Sequence, residues 1–328
     1  MKTIKPFALR NGDTIGVVAP AYPFPSNDQQ EYFQSYLKGK TEIERMGFKI
    51  KESVNLKARE WWRAGTPKQR ADDINSMYND PEIKAIIAHD GGNDCISILE
   101  YFDYDLIAKN PKPFIGFSNI TNIHSALYTK IGLVGFHMGL LTYELGNYWQ
   151  ISDEKIKNKG ANYFKQVLTN TELLEQIEPL TEWETWKEGQ TQGKLFGGNL
   201  SMLDSLIGTP YFPKLEDLQG CIFFWEIDNS PSYRIERVLT HLKYLGLFDV
   251  ISGMIVGKLV DIKDTAQGDL VEPTHKEIVL SILKDYSFPI LAEVDFGHKM
   301  VQIPMLIGLE TSVDATNKKF KYLESAVL

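Results

Sequence analysis

The sequence predicts an α/β protein of two domains, in which the N-terminal domain is built on a doubly wound parallel sheet. Three observations support this fold class. The 328 residues correspond to two domains at about 150 residues each. Hydrophobic residues make up 43% of the chain and charged residues 24%, which is the balance of a globular protein with a large core. Short apolar runs alternate with helical patterns, as they do in successive βα units.

The first domain is predicted over residues 1–146, where strands and helices alternate. Short apolar runs predict strands at residues 14–19, 48–51, 83–88 and 113–117. Apolar residues at helical spacing predict helices at residues 30–46, 67–79 and 95–101, and a further helix directly after Ser118. Because strands and helices alternate, we expect the strands to be parallel and joined by crossovers.

Residues 147–192 differ in character and are interpreted as a crossover or insertion between the domains. They are rich in Lys, Glu, Asn and Thr, contain three Trp residues, and are predicted to be partly helical around residues 163–175. The C-terminal domain is predicted over residues 193–328. Its predicted strands are residues 221–225, 253–257 and 290–294, its predicted helices 200–207, 232–245 and 277–284, and a closing hairpin is predicted at 301–314.

Charge and cysteine content exclude several classes of partner. The chain has 35 Lys and Arg against 43 Asp and Glu, a net charge of −8, and no basic stripe, so no nucleic-acid partner is expected. Cys95 and Cys221 are too few for a disulfide framework and are expected to be buried thiols in a reducing cytosol. The N-terminus lacks the apolar stretch of a signal peptide, and polar residues interrupt the least charged segment, residues 113–143. We therefore expect a cytoplasmic protein with no membrane partner.

The common cofactor and metal motifs are missing from the sequence. There is no dinucleotide-binding GxGxxG between a strand and a helix and no phosphate-binding GxxxxGK[ST]. HExxH and paired CxxC motifs are absent, and none of the six histidines has a second His at i+2 or i+4. No cofactor and no metal are therefore expected, although a metal site assembled from distant ligands would leave no such pattern.

Residues 115–120, IGFSNI, place a serine between an apolar strand and an amphipathic helix. A nucleophile elbow needs this arrangement, because the sharp turn lifts the Ser118 hydroxyl out of the sheet and the helix N-terminus offers N–H groups to an oxyanion. Ile120 stands where the α/β-hydrolase motif GxSxG has its second Gly, so only half of that motif is present. The alternative is that Ser118 or Asn119 merely caps the helix.

Further residues have the right positions to complete a site around a serine nucleophile. Gly91 and Gly92 follow the third strand, where the backbone can approach a ligand and N–H groups can form an oxyanion hole; a tight turn is the alternative. A serine nucleophile needs a base, and the base needs an orienting carboxylate. Glu226 and His298 each follow an apolar strand of the second half. A solvated Glu and a structural His are the alternatives.

Several ordered segments resemble the LD-carboxypeptidase family of serine peptidases, which includes murein tetrapeptide carboxypeptidases and microcin C immunity proteins. The resemblance is spread over nearly the whole chain. It is carried by residues 12–20 (GDTIGVVAP), 111–118 (PKPFIGFS), 132–137 (GLVGFH), 197–200 (GGNL), 208–211 (GTPY), Glu226 with 231–237 (PSYRIER), and 296–298 (FGH).

The resemblance implies an active site between an N-terminal doubly wound domain and a C-terminal α/β domain. It implies that Ser118 is the nucleophile, His298 the general base and Glu226 the group that orients His298. The backbone N–H groups of Gly92 and Asn119 would form the oxyanion hole. The family usually has Asp after the serine where this chain has Asn119, which puts any charge-based role of that side chain in doubt. Members of the family look like homodimers, so the resemblance also implies a homodimer.

The resemblance leaves two substrate classes open. One is a small peptide, as in peptidoglycan recycling, where the L,D amide bond of a murein tetrapeptide is cleaved. The other is a peptidyl or aminoacyl nucleotide, the substrate of immunity proteins. Trp183 and Trp186 are predicted to stack on a base and Arg234 to bind a carboxylate or phosphate, while Gly91 lets the backbone approach the substrate. The alternatives are Trp side chains that anchor the insertion on the core and an interdomain salt bridge for Arg234.

Two functions of other classes fit the sequence less well than this hypothesis. A non-catalytic binding module on the same fold would not need to retain Ser118, Glu226 and His298 together. An amidotransferase dependent on Cys95 would need that cysteine at a strand-end elbow, whereas it lies inside a helical pattern.

Overall fold

The polypeptide forms two α/β domains, each built around its own β-sheet, in a computed structural model that describes residues 2–26, 28–173 and 176–328. Strands are numbered along the whole chain. The N-terminal sheet contains β1 (Thr14–Val18), β2 (Lys49–Glu52), β3 (Ile83–Ala88), β4 (Phe114–Gly116), β5 (Gly135–His137) and β11 (Met305–Ile307). The C-terminal sheet contains β6 (Glu184–Lys187), β7 (Gln190–Asn199), β8 (Ile222–Glu226), β9 (Gly253–Gly257), β10 (Ile290–Val294), β12 (Glu310–Asp314) and β13 (Lys319–Tyr322).

The N-terminal sheet has the strand order β2-β1-β3-β4-β5-β11. The first five strands in this order pair in parallel, and β11 pairs antiparallel with β5. From β1 to β2 the chain adds strands toward one edge of the sheet, and from β3 to β5 it adds them toward the other edge. This change between β1 and β3 confirms the predicted doubly wound fold. In such sheets ligands bind beyond the carboxyl ends of the strands, close to the reversal.

The helices connect the strands of both sheets. They are α1 (Gln30–Arg45), α2 (Pro67–Asn79), α3 (Tyr104–Lys109), α4 (Thr121–Ile131), α5 (Trp149–Ile151), α6 (Glu154–Thr169), α7 (Leu200–Asp204), α8 (Tyr233–Leu245), α9 (Leu247–Val250) and α10 (His275–Ile282). Short 3₁₀ helices span Cys95–Tyr101, Ser118–Ile120 and Leu215–Leu218, and a π-helix spans Leu141–Tyr148.

Local sequence explains where the elements begin and end. Thr66 accepts a hydrogen bond from the Gln69 N–H while the Gln69 side chain accepts from the Thr66 N–H, so a capping box followed by Pro67 starts α2. Gly132, in the left-handed region at φ 71°, ends α4. Five of the six β3 residues are buried, as expected for a central strand covered on both faces.

The C-terminal sheet is mixed, with the strand order β13-β12-β7-β8-β9-β10-β6. Strands β7 to β10 are parallel, whereas β6, β12 and β13 add antiparallel edges. Residues 301–314 do not form the predicted hairpin. They separate into β11, which extends the N-terminal sheet, and β12, which pairs with β7 and β13. A hairpin needs two strands that pair with each other, and here each finds its partners in a different sheet.

The remaining predictions differ from the structure in detail. Residues 95–101 form a 3₁₀ helix. The helices within the insertion are α5 and α6, and α6 starts earlier than predicted; Glu175, the predicted end, lies outside the described residues. Strand β6 comes from the insertion and pairs with β10. The boundaries 1–146, 147–192 and 193–328 stay a prediction.

In the part of the chain that the structure describes, no helix is long and apolar enough to cross a membrane. The cytoplasmic location stays a prediction.

Candidate active site

A cavity of about 580 Å³ lies between the two domains, at the carboxyl ends of the strands. Its N-terminal wall includes Gly91 and Gly92, which follow β3, and Ser118, which follows β4. Its C-terminal wall includes Arg234 at the start of α8 and His298, which follows β10. The cavity therefore occupies the position at which doubly wound sheets bind ligands, and the second domain closes it.

Ser118 stands on a strained turn between β4 and the helix that follows it. Its φ is 61°, in the left-handed region that residues with a side chain rarely adopt. Phe117 before it is extended, and the 3₁₀ turn Ser118–Ile120 leads directly into α4. This abrupt change of direction places the hydroxyl in the cavity, as a nucleophile elbow requires.

Ser118, His298 and Glu226 form a continuous hydrogen-bonded chain. The Ser118 Oγ lies 3.1 Å from Nε2 of His298, and Nδ1 of His298 lies 2.9 Å from Oε2 of Glu226. These distances allow Nδ1–H to donate to the carboxylate while Nε2 accepts from the hydroxyl. Glu226 is fully buried, so its carboxylate is shielded from water and interacts strongly with the imidazole.

Asn199 holds the far side of the Glu226 carboxylate. Its Nδ2 donates to Oε1 of Glu226 at 2.9 Å, because the two residues stand opposite each other at the ends of the paired strands β7 and β8. Sequence analysis did not single out Asn199 as a site residue. The sequence does contain a signal for Asn199, since the segment GGNL is one of those that carry the family resemblance and its Asn ends an apolar strand.

A second carboxylate approaches the other side of the imidazole. Oδ1 of Asp228 lies 3.4 Å from Nε2 of His298, and burial raises the pKa of Asp228. Burial on its own would lower the pKa of His298, but the charge and hydrogen bond of Glu226, together with the charges of Asp228 and Asp90, raise it above its ordinary value of 6.5. The acidic neighbours thus favour the imidazolium, which is the form that follows proton transfer from serine.

These contacts predict how the activity depends on pH. Only neutral His298 can accept the serine proton, so kcat/KM is expected to rise with pH through a midpoint above 6.5. Asp228→Asn removes a charge that favours the imidazolium and should move the midpoint to lower pH. The measurement is a pH profile of kcat/KM for both proteins, with the exposed Asp105→Asn as the charge-matched control. An unchanged or higher midpoint in Asp228→Asn would contradict this account of the histidine.

Gly91, Gly92 and Asn119 surround the nucleophile. A Cβ at Gly91 would lie 3.3 Å from Ser118 Oγ, so a side chain there would crowd the hydroxyl. Gly92 has φ 131°, and its N–H has no acceptor among the described residues. The Asn119 side chain faces away: Oδ1 accepts from the Cys95 N–H at 2.8 Å and the residue is fully buried. The Asn119 side chain therefore belongs to the buried packing behind the elbow, and the Asn119 N–H remains at the elbow.

The two tryptophans predicted to stack on a substrate base do not line the cavity, and that prediction is corrected. Trp183 is buried, and its Nε1 donates to Oδ2 of the buried Asp295 at 2.7 Å. Trp186 lies on β6, and its Nε1 donates to Glu184 at 2.9 Å. Trp183 thus anchors the insertion on the C-terminal domain, and Trp186 is buried on the edge strand β6.

Arg234 lines the cavity, and its predicted role in binding substrate stays a prediction. Its Nε donates to Oγ of Ser201 at 3.0 Å, and its terminal nitrogens have no partner among the described residues. No ion pair of Arg234 is found in the described ranges, so the predicted alternative of an interdomain salt bridge is not seen. A guanidinium held at one nitrogen and open at the others suits a carboxylate or phosphate.

A buried polar network supports the loop that carries His298. Glu144, on the π-helix, accepts from Trp149 Nε1 at 2.9 Å and from Gln302 Nε2 at 2.7 Å. The side-chain oxygen Oε1 of Gln302 accepts in turn from the N–H of Gly297 at 3.3 Å. Burial raises the pKa of Glu144 to about 7. Sequence analysis missed this network, because its members lie far apart in the chain and belong to no motif.

Two other chemistries can be compared with this geometry. Glu226, Asp228 and His298 each offer a ligand atom, and these atoms lie within 4.8 Å of one another. However, the two carboxylates approach different nitrogens of one imidazole, so one ion cannot bind both carboxylates and this ring in a regular site. The Cys95 thiol is fully buried and its pKa is raised by that burial, which leaves it without the character of a nucleophile.

Comparison with known proteins finds relatives over both domains. Residues 15–138 match the LD-carboxypeptidase N-terminal domain, and residues 192–313 match the LD-carboxypeptidase C-terminal domain. The chain is 32% identical over 323 residues to a probable murein peptide carboxypeptidase of Bacillus subtilis, covering 96% of this chain and 92% of the relative. It is 28% identical over 339 residues to the microcin C7 self-immunity protein MccF of Escherichia coli, covering 96% and 94%.

Solved structures show the same architecture. MccF in complex with aspartyl sulfamoyl adenosine matches with a TM-score of 0.86 and 25% identity, over 99% of this chain and 100% of that one. A muramoyltetrapeptide carboxypeptidase from Oxalobacter formigenes matches in fold with a TM-score of 0.76 and 21% identity, over 94% and 97%. Both domain matches, and a relative above 30% identity over almost the full length, lead to one conclusion: the chain is a member of the LD-carboxypeptidase family.

Proposed function

We propose that the protein is a serine carboxypeptidase that cleaves an amide bond near the C-terminus of a small peptide, with an L-residue on the acyl side and a D-residue as the leaving group. The observation that carries this proposal is the chain of contacts from Ser118 through His298 to Glu226 in a cavity between the domains. Relatives named as murein peptide carboxypeptidases support the substrate class.

The geometry supports a two-step acyl transfer. Ser118 Oγ attacks the scissile carbonyl carbon as His298 Nε2 takes the hydroxyl proton, and Glu226 stabilises the resulting imidazolium. The N–H groups of Gly92 and Asn119 stabilise the negative oxygen of the tetrahedral intermediate. The imidazolium then protonates the leaving amine, and the C–N bond breaks to give an acyl-enzyme. Water attacks this ester with His298 again as base, which releases the acid and restores Ser118.

Arg234 has the position and the free donors to bind the terminal carboxylate of the leaving residue. A carboxypeptidase needs such a group, because the terminal carboxylate distinguishes its substrate from an internal peptide bond.

The implied homodimer also remains a proposal, and sedimentation of the purified protein tests it.

A second candidate is hydrolysis of a peptidyl or aminoacyl nucleotide. It is favoured by the similarity to MccF, which has been solved with aspartyl sulfamoyl adenosine bound. In this chain Tyr22 and Tyr32, whose ring centroids are 5.9 Å apart, provide aromatic surface at the cavity in place of the buried tryptophans. Product analysis with a murein tetrapeptide and an aminoacyl nucleotide in parallel tests both candidates. Release of a terminal D-amino acid supports the first, and cleavage of only the nucleotide conjugate overturns it in favour of the second.

Hydrolysis is expected to be independent of added metal. The serine and histidine provide the nucleophile and the base without a metal-bound water. Activity should therefore be unchanged after incubation with a chelator and removal of the chelate by gel filtration. Loss of activity that a divalent cation restores would contradict the serine mechanism.

A further inference from the structure

Asp90 is a buried carboxyl group in the cavity that the mechanism does not use. It lies between β3 and Gly91, lines the cavity and is only 8% exposed. Its Oδ1 accepts from the N–H of Gly91 at 2.6 Å, and this is the one hydrogen bond to its side chain among the described residues. A buried carboxyl normally has more partners than this, since each oxygen can accept two hydrogen bonds.

The ionised form of Asp90 is unfavourable for catalysis unless a positive charge accompanies it. Gly91, the neighbour to which it is bonded, is the residue whose Cβ would lie 3.3 Å from Ser118 Oγ. An ionised carboxylate in that position repels the negative charge that develops on the scissile carbonyl oxygen. Asp228 adds a second acidic group to the same cavity, where Arg234 is the cationic side chain. The cavity thus has an excess of acidic groups beside the nucleophile.

The remaining wall has the character of a cation site. Tyr22, Tyr32 and Tyr143 line the same cavity as Asp90. Aromatic rings next to a carboxylate are a common environment for a primary ammonium group, because both attract a positive charge. Arg234, by contrast, suits an anion.

We propose that Asp90 is a specificity-determining residue that binds a primary ammonium group on the acyl residue of the substrate. This rests on the proposed function only in taking Ser118 as the attacking group. The ammonium has two possible sources, the free α-amine of an N-terminal residue or a side-chain amine. Either would neutralise Asp90 beside the oxyanion, so the substrate itself supplies the missing positive charge.

The protonation state of Asp90 gives the proposal a separate readout. Burial raises the pKa of Asp90 to about 7, although the hydrogen bond from the Gly91 N–H and the charge of His298 both act to lower it. Near neutral pH a large fraction of Asp90 is therefore protonated before substrate binds. Binding of an ammonium group favours the carboxylate, so the carboxyl proton passes to the buffer.

The kinetic test uses peptides that differ in one charge. L-Ala-D-Ala carries an α-ammonium that N-acetyl-L-Ala-D-Ala lacks, and N-acetyl-L-Lys-D-Ala carries a side-chain ammonium that N-acetyl-L-norleucine-D-Ala lacks. The natural protein should prefer the charged member of at least one pair. In Asp90→Asn, which keeps an acceptor for Gly91, that preference in kcat/KM should fall by roughly 30-fold or more. Asp105→Asn, an exposed change of the same charge, should keep the preference.

The binding test uses Ser118→Ala, which cannot turn over the peptides. Calorimetry in two buffers of different ionisation enthalpy should show proton release with the preferred ammonium peptide and none with its neutral counterpart. The release should disappear in Ser118→Ala/Asp90→Asn. Because this measures binding alone, it distinguishes a failed subsite from a failed hydrolase assignment.

Three results would overturn the proposal. The first is that the natural protein shows no preference for either charged peptide in kinetics or binding. The second is that the preference persists in Asp90→Asn. The third is that Asp90→Asn slows all four peptides equally, which would make Asp90 a structural partner of the Gly91 loop. If no peptide is hydrolysed but proton-linked binding is observed, the hydrolase assignment fails and the ammonium site stands.

Discussion

Replacing Ser118 with alanine is expected to lower kcat by on the order of 10⁴- to 10⁶-fold, because the attacking oxygen is removed. The protein should still fold. Among the described residues the Ser118 hydroxyl bonds only to His298, and alanine at φ 61° suffers the same backbone strain as serine. The measurements are single-turnover hydrolysis and thermal unfolding of the purified variant.

The matched control is Ser125→Ala on α4, the helix that follows the Ser118 turn. Its hydroxyl donates to the Tyr211 carbonyl oxygen at 2.8 Å, so this change removes a buried hydroxyl without touching the cavity. It should cost stability but leave kcat nearly unchanged. Near-normal turnover by Ser118→Ala would show that another residue is the nucleophile. A covalent serine reagent should label the natural protein at Ser118 and leave the alanine variant unlabelled.

Glu226→Gln and His298→Ala are each expected to lower kcat by on the order of 10⁴-fold or more. Glutamine keeps the volume of Glu226 but places an amide opposite His298 Nδ1. If the amide N–H donates to Nδ1, the ring proton moves to Nε2, which can then no longer accept the serine proton. The carboxylate that stabilises the imidazolium is also lost. His298→Ala removes the base altogether.

Combining either change with Ser118→Ala should add little further loss. The nucleophile is inert without its base, and the base is misplaced without its carboxylate, so the three residues act as one unit. The check is a double-mutant cycle on kcat. Multiplicative losses in the cycle would mean that the residues act independently. If His298→Ala kept the natural pH profile, another residue would have to be the base.

Much of the fold followed from local pattern. Strand β3 was predicted with the bounds that it has, because five of its six residues are apolar and a central parallel strand buries both faces. Helix α2 was predicted with its observed bounds, since Pro67 starts it and its apolar residues recur at helical spacing. The 301–314 hairpin failed because adjacent segments carry no information about which of two distant sheets each will join.

Ser118, Glu226 and His298 were identified from strand-end positions and a family resemblance, and the structure brings these three side chains into contact. The tryptophans show the limit of this reasoning. A Trp in a polar insertion has the same sequence signature whether it covers a ligand or the core. Only the tertiary structure shows that Trp183 is buried and bonded to Asp295. Asn199 could have been predicted as a site residue, because it ends a strand and the carboxyl ends of parallel strands lie at the same edge of a sheet.

The sequence by itself determined the two-domain α/β class, the strand-end serine and the family to which the chain belongs, since all of these depend on residues close together or on ordered motifs. Only the tertiary structure decided that Asp90 shares a cavity with Tyr143, Asp228 and Arg234, and that Gln302 supports the His298 loop from Glu144. The physical reason is that burial, charge and hydrogen bonding depend on which side chains meet across two separate domains. A local sequence pattern cannot predict these contacts, because they depend on how distant parts of the chain pack together.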